Sequence, residues 1–150
     1  MLHRDISSNN ILFKKYDNDL LVVKISDFGL VKIPNSELTN ENTEIKGSFN
    51  DCSDLSRVGF DGYAKHHEIF ALTRILFFVL AGKTNNNGIK YSFLDKEISG
   101  NIGERYKTLD ELEKAFLDYC SQCDKQKLKD SKDSTINQNQ FFHILVLRLD

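Results

Sequence analysis

Hydrophobic residues along the chain fall into a few runs separated by polar segments. Two runs, Ile11–Lys15 and residues 20–25, are apolar or β-branched and flank a polar cluster at residues 16–19 that is typical of a turn. They predict a β-hairpin. A longer run predicts a helix over residues 65–81, apolar on every face in its second half and ended by Gly82.

The rest of the chain predicts one more long helix among loops. Thr108 and Glu111 have the spacing of a helix-capping box. An apolar stripe follows at helical spacing, formed by Leu109, Leu112, Phe116 and Tyr119.

Residues 31–57 lack periodicity and predict a long surface loop, whereas residues 83–103 predict loops with one short helix. Residues 121–140 are polar and predict a mobile segment before a last apolar stretch at residues 141–149. The predicted fold class is mainly α with a short β-hairpin (α+β).

Composition and charge argue against a nucleic-acid-binding, exported, membrane-spanning or disulfide-rich protein. The 150 residues carry a net charge of −2, so no global field favours nucleic acid or an anionic membrane as a partner. No signal peptide is visible after Met1, and no run is long enough to span a bilayer. The three cysteines are an odd number, which favours reduced thiols. We expect a cytoplasmic protein of one domain.

Two short motifs lie on either side of the hairpin. The first is His3-Arg4-Asp5-Ile6-Ser7-Ser8-Asn9-Asn10, and the second is Asp27-Phe28-Gly29. Phosphoryl transfer needs a carboxylate near the acceptor hydroxyl and oxygen ligands for magnesium, and a loop, hairpin and loop can supply both. The two motifs in this order resemble the catalytic loop and the metal-binding motif of protein kinases.

The resemblance implies a role for each motif residue. Asp5 would be the catalytic base, while Asn10 and Asp27 would hold Mg²⁺ on the phosphates of ATP. The supporting residues would be His3, Arg4, Phe28 and Gly29. The implied partners are ATP and a protein substrate that the sequence does not identify.

The resemblance extends over residues 1–119, as a partial kinase large lobe, and leaves residues 120–150 as a polar tail with a short apolar end. Residues 60–85 resemble the central helix of that lobe, with Glu68 where the family has an aspartate that holds the catalytic loop. Arg105 resembles the family's late structural arginine. The family's Ala-Pro-Glu motif is not found, the nearest stretch being residues 51–55, so the carboxylate partner of Arg105 is open.

Arg4 suggests regulation by phosphorylation. In kinases with this arginine, the guanidinium often binds a phosphate on the activation loop, and Lys32 matches a second basic position of that clamp. Candidate phosphosites are Thr39, Thr43 and Ser48. An ordinary solvated lysine at position 32 is the alternative.

The small lobe of the kinase family has no counterpart in the sequence. We therefore expect large apolar residues of the central helix to lose part of their cover, namely Ile69, Phe70, Leu76, Phe77 and Leu80. The chain alone is then expected to be marginally stable, with a small lobe supplied by missing sequence or a partner chain.

Several alternatives stay open. The chain is either part of an active protein kinase or a catalytically inactive kinase-like lobe that acts as a protein-binding module or is a decayed gene product. Lipid, choline and aminoglycoside phosphotransferases share the fold, but Arg4, Phe28 and Gly29 favour the protein kinases. Ser7 leaves open whether the acceptor is serine/threonine or tyrosine. Cys120, Cys123 and His143 could bind zinc, although one such cysteine pair is weak support.

Overall fold

A computed structural model describes residues 1–17, 21–30, 49–85, 88–97, 99 and 101–130. The described part is mostly helical, with one two-stranded antiparallel sheet, as the sequence predicts. Within it, no helix combines the length and apolarity needed to cross a membrane.

The hairpin consists of β1 (Ile11–Lys15) and β2 (Leu21–Ile25). Ile11 pairs with Ile25 and Lys15 with Leu21, which confirms the predicted hairpin. This register places Asn10 beside Ser26, whose amide donates a hydrogen bond of 2.8 Å to the Asn10 carbonyl. The ends of the two sequence motifs therefore meet at the open end of the hairpin.

The predicted loop over residues 31–57 is wrong at its C-terminal end, where helix α1 (Cys52–Val58) forms. Asp51 caps this helix, since its side chain accepts from the amide of Asp54 at 3.2 Å. Only Leu55 is a buried apolar residue of α1, so a helix of seven residues leaves almost no periodic signal. Residues 31–48 lie outside the described residues.

Helix α2 (Lys65–Ala81) has the bounds that the sequence predicts. At its start the amide of Ala64 donates to Nδ1 of His67, and at its end Gly82 takes a left-handed φ of 64°. The second half of α2 is apolar on every face, as the sequence shows, but its last turn is not buried on every face, since Val79 is 48% exposed.

Helices α3 (Ser92–Asp95) and α4 (Leu109–Asp130) pack beside α2. The expected loss of cover on α2 is wrong for Ile69, Leu76 and Phe77, which are all fully buried in the core. The cover includes Tyr91, whose ring centroid lies 5.7 Å from that of Phe77. Phe70 and Leu80 are half-buried.

Helix α4 begins after Thr108, whose hydroxyl accepts from the amide of Glu111 at 3.2 Å as predicted. The Glu111 carboxylate accepts from the amide of Lys107 instead of that of Thr108. Its predicted apolar stripe faces the core, which also buries the Cys120 side chain. The helix runs to Asp130, so the mobile segment predicted from residue 121 is wrong up to that point. Residues 131–150, with His143, lie outside the described residues.

Candidate active site

Helix α2 holds the backbone of the first motif through one carboxylate. Glu68, buried in the first turn of α2, accepts from the amide of His3 at 2.8 Å and from the amide of Arg4 at 3.2 Å. Each bond uses a different carboxylate oxygen. Two charge-assisted bonds from a rigid helix therefore define where the chain enters Asp5.

Arg4 adopts an uncommon backbone conformation for a residue with a side chain, with φ of 68°. Its side chain is only 1% exposed and its guanidinium lies 4.6 Å from the ring centroid of Phe60. Burial lowers the pKa of Arg4, and the charge of Glu68 is among those that oppose this effect. The guanidinium is thus turned into the protein in this conformation and not presented to solvent for a phosphate. The other clamp residue, Lys32, and the candidate phosphosites Thr39, Thr43 and Ser48 lie outside the described residues.

Asp5 and Asn10 are joined directly. The Nδ2 of Asn10 donates to the backbone carbonyl of Asp5 at 2.8 Å and to its Oδ2 at 3.1 Å. Both partners are acceptors only, which identifies the NH₂ side of the amide. The arrangement orients the Asp5 carboxylate and leaves Oδ1 of Asn10 as the amide's ligand atom for a cation.

His3 connects the two motifs. Its Nε2 lies 2.9 Å from the carbonyl oxygen of Ser26, which can only accept, while its Nδ1 faces the amide of Asp5 at 3.4 Å. The tautomer that fits both contacts carries its proton on Nε2 and accepts at Nδ1. The ring also contacts that of Phe28, with centroids 4.9 Å apart. These contacts give His3 an orienting position with no lone pair available as a base.

Asp27 is exposed. Like Arg4, it has a left-handed backbone conformation that is uncommon outside glycine, with φ of 62°. The amide of Gly29 lies 3.4 Å from its Oδ1. A Cβ at position 29 would stand 3.2 Å from the same oxygen, closer than an ordinary contact. Glycine therefore leaves room for the carboxylate to lie over the turn, where it can reach a cation.

Arg105 has a carboxylate partner that sequence reasoning left open. Its Nη1 lies 2.6 Å from Oδ2 of Asp51, and both side chains are 7% exposed. The guanidinium also covers the ring of Phe70 at 4.8 Å. Asp51 lies in residues 51–55, the stretch nearest to the Ala-Pro-Glu motif that the sequence lacks. The sequence does not show which carboxylate of that stretch faces Arg105, whereas the structure shows that it is Asp51, the residue that caps α1.

Sequence reasoning missed a second group of polar residues around the first motif. Asn50 donates from Nδ2 to the carbonyl of Arg4 at 3.3 Å, and the Tyr63 hydroxyl donates to Oε2 of Glu68 at 3.0 Å. Ser26 donates from its hydroxyl to the carbonyl of Asn10 at 3.2 Å. None of these residues belongs to a motif, so only their contacts in the fold reveal them.

Asp54, His66 and His67 form a cluster close enough to hold a metal ion. His67 Nδ1 already accepts from the amide of Ala64, so its Nε2 carries the proton and donates to Oδ2 of Asp54 at 2.8 Å. A metal ion at Nε2 would need that proton removed. Arg57 also bonds the Asp54 carboxylate at 2.5 Å. The chemistry of this cluster is that of a hydrogen-bonded brace between α1 and α2.

Residues 1–51 match the family model described as protein tyrosine and serine/threonine kinase. The chain is also 30% identical to the receptor-like serine/threonine-protein kinase SD1-7 of Arabidopsis thaliana over 115 residues, which are 75% of this chain and 13% of that protein. It is 30% identical to cold-responsive protein kinase 1 of the same plant over 87 residues, 58% of this chain and 21% of that protein.

A probable receptor-like protein kinase of Arabidopsis thaliana shares 41% identity over 49 residues, 33% of this chain and 5% of that protein. The chain thus spans between 5% and 21% of the length of these relatives. No solved structure matches it. The two motifs, the family model and the relatives agree, and the chain belongs to the protein kinase family.

Proposed function

We propose that the protein transfers the γ-phosphoryl group of ATP to a hydroxyl group of a protein substrate. The observation that carries this proposal is the joining of the two motifs, in which His3 and Asn10 both bond Ser26, the residue before Asp27. A base and a metal-binding carboxylate from separate loops are thereby supported on one scaffold.

Asp5 is the proposed base. Its carboxylate is partly exposed and held by Nδ2 of Asn10, while the backbone before it is held by Glu68. An acceptor hydroxyl that approaches Asp5 can give its proton to the carboxylate as the new bond to phosphorus forms and the bond to the leaving ADP oxygen breaks.

Asn10 and Asp27 are the proposed magnesium ligands. One amide oxygen and one carboxylate are hard oxygen donors, the type that Mg²⁺ prefers. The bonds of Nδ2 to Asp5 direct the amide oxygen of Asn10 away from Asp5. When bound, the ion would neutralise charge on the phosphates of ATP.

The fold that we propose is the large lobe of a protein kinase over residues 1–119, which works in the cytoplasm with a small lobe from further sequence or a partner chain. This lobe would add the contacts to adenine and phosphates that the resemblance requires. Serine/threonine specificity would agree with the name of one of these relatives, the receptor-like serine/threonine-protein kinase SD1-7.

The test is phosphoryl transfer by the natural gene product that carries this sequence, with radiolabelled ATP and a generic protein acceptor. Asp5→Asn keeps the shape of the side chain but cannot take the proton, so we expect the rate to fall roughly 10²- to 10⁴-fold. Asp17→Asn, an exposed aspartate at the end of the hairpin, is the control and should leave the rate unchanged. Equal, measurable rates for wild type and Asp5→Asn would contradict the proposed base, whereas no transfer by the wild type would favour a binding module.

A further inference from the structure

We propose that Tyr63 is a positioning residue that aligns Glu68 with the backbone of the catalytic loop and thereby sets the position of Asp5. The effect on catalysis rests on the proposed kinase function, whereas the effect on the loop does not. Tyr63 lies just before α2 and belongs to neither sequence motif.

The hydroxyl of Tyr63 completes the bonding of one buried carboxylate. Its oxygen lies 3.0 Å from Oε2 of Glu68, the same oxygen that accepts from the amide of Arg4. The hydroxyl oxygen is 3.4 Å from Oδ1 of Asn50, so its one proton goes to the nearer, charged oxygen. Oε2 of Glu68 thus accepts one bond from Tyr63, which precedes α2, and one from the amide of Arg4 in the catalytic loop.

The environment of Tyr63 makes it a permanent donor. Its side chain is fully buried, and burial together with the charge of Glu68 raises the pKa of the phenol far above its usual range. This direction favours the protonated phenol, the form that donates to Glu68. Glu68, with both oxygens in hydrogen bonds, can remain a buried carboxylate because its bonds replace lost hydration.

The loop needs such alignment because Arg4 is held in a strained conformation. Its φ of 68° persists only where surrounding contacts determine it. Glu68 bonds the amide of Arg4 and Asn50 bonds its carbonyl. A rotation of the Glu68 carboxylate would release the amides of both His3 and Arg4, and the next residue is Asp5.

Packing of the Tyr63 ring is separable from the hydroxyl. The ring contacts those of Phe60 and His67, with centroid distances of 6.0 and 5.1 Å. Tyr63→Phe keeps these contacts and removes only the donor. A role limited to packing would therefore survive this substitution, whereas the positioning role would not.

The experiment compares Tyr63→Phe with Tyr106→Phe in the full natural gene product. Tyr106 is the matched control, since its buried hydroxyl donates to the carbonyl of Phe93 at 2.7 Å and its side chain belongs to the main core cluster, whereas Tyr63 packs in a separate cluster with Leu55 and Phe60. Hydrogen exchange of the peptide with His3 and Arg4 is measured together with kcat and the KM for ATP.

For Tyr63→Phe we expect exchange of the His3 and Arg4 amides to rise at least several-fold and kcat to fall roughly 10-fold with an unchanged KM. Tyr106→Phe should change neither. Unchanged exchange in Tyr63→Phe would overturn the inference whatever the activity. Faster exchange in a protein whose wild type transfers no phosphate would support the positioning of the loop and refute the proposed function alone.

If Tyr63→Phe does not fold, 3-fluorotyrosine placed at position 63 supplies the second test. It keeps the ring and makes the hydroxyl a stronger donor, so exchange of the same two amides should become slower. Exchange equal to that of wild type would overturn the inference.

Discussion

Arg4 and Asp27 hold left-handed backbone conformations that residues with side chains rarely adopt. Each costs roughly 1–3 kcal/mol and persists only where neighbouring contacts leave no alternative. Glu68 supplies those contacts for Arg4, and the open space at Gly29 accommodates the carboxylate of Asp27. Strain is therefore concentrated in the two motifs that carry the proposed chemistry.

Asp54 illustrates how one residue couples charge to stability. The hydrogen bond from Arg57 and that from His67 hold the pKa of Asp54 at about 2, against the opposing effect of burial. An unfolded aspartate titrates near ~3.9, so the unfolded chain binds this proton first as the pH falls. The stabilisation by Asp54 is complete above the unfolded pKa and is lost as the pH falls toward 2.

We therefore predict that wild type exceeds Asp54→Asn in stability by more at pH 7 than at pH 3. The measurement is the urea midpoint of both proteins at the two pH values. Asp118→Asn, at an exposed position of α4, should differ from wild type by the same amount at both. A wild-type advantage over Asp54→Asn that does not change with pH would show that the Asp54 pKa is ordinary.

At the residue scale, the sequence predicts the identity of the motif residues but not their partners. Asp5, Asn10 and Asp27 could be recognised because their spacing along the chain is itself the signal. Asn50 and Asp51 could not, because each acts through a contact with a residue distant in sequence. Tyr63 could not, because its bond to the nearby Glu68 matters only through the contact of Glu68 with the distant amide of Arg4. Such contacts exist only after α1 and α2 have packed.

Helix α1 matters because its capping residue, Asp51, is also the ion-pair partner of Arg105. Asp51 caps α1 with one carboxylate oxygen and bonds Arg105 with the other. The pair is almost fully buried, so the loss of either member leaves a charge without compensation in a poorly hydrated place.

We predict that Arg105→Met lowers the free energy of unfolding by roughly 3–5 kcal/mol, because it strands the buried carboxylate of Asp51. The matched control is Lys96→Met, which removes a more exposed pair with Glu111 at 3.6 Å and should cost much less, because solvent screens that pair. Both values come from equilibrium urea unfolding followed by circular dichroism. Similar losses for the two variants would mean that the Asp51–Arg105 pair has no special weight.

The elements predicted from sequence are those with a strong periodic pattern. The hairpin and α2 have alternating or continuous apolar residues and clear ends, so their predicted bounds agree with the structure. Helix α1 is too short for such a pattern. The last turns of α4 are polar and have no apolar stripe. They continue a first half of the helix that is packed against the core.

At the scale of the whole molecule, α2 organises both the core and the candidate site. Its apolar residues join α3 and α4 in one cluster, while its first turn reaches the catalytic loop through Glu68. The structure thereby connects the packing of the helices to the placement of Asp5. The sequence predicts the class of fold and the two motifs, but the burial of Ile69, Leu76 and Phe77 depends on packing that no local pattern shows.

The central claim is that Asn10 and Asp27 form a magnesium-dependent nucleotide site. The most direct measurement is calorimetric titration of the natural gene product with a non-hydrolysable ATP analogue, with Mg²⁺ and then with EDTA. We predict that Mg²⁺ strengthens binding in wild type and in the control Asp17→Asn, and has little effect in Asp27→Asn. Binding that is the same with and without Mg²⁺ in wild type, or equally strengthened in Asp27→Asn, would contradict the account.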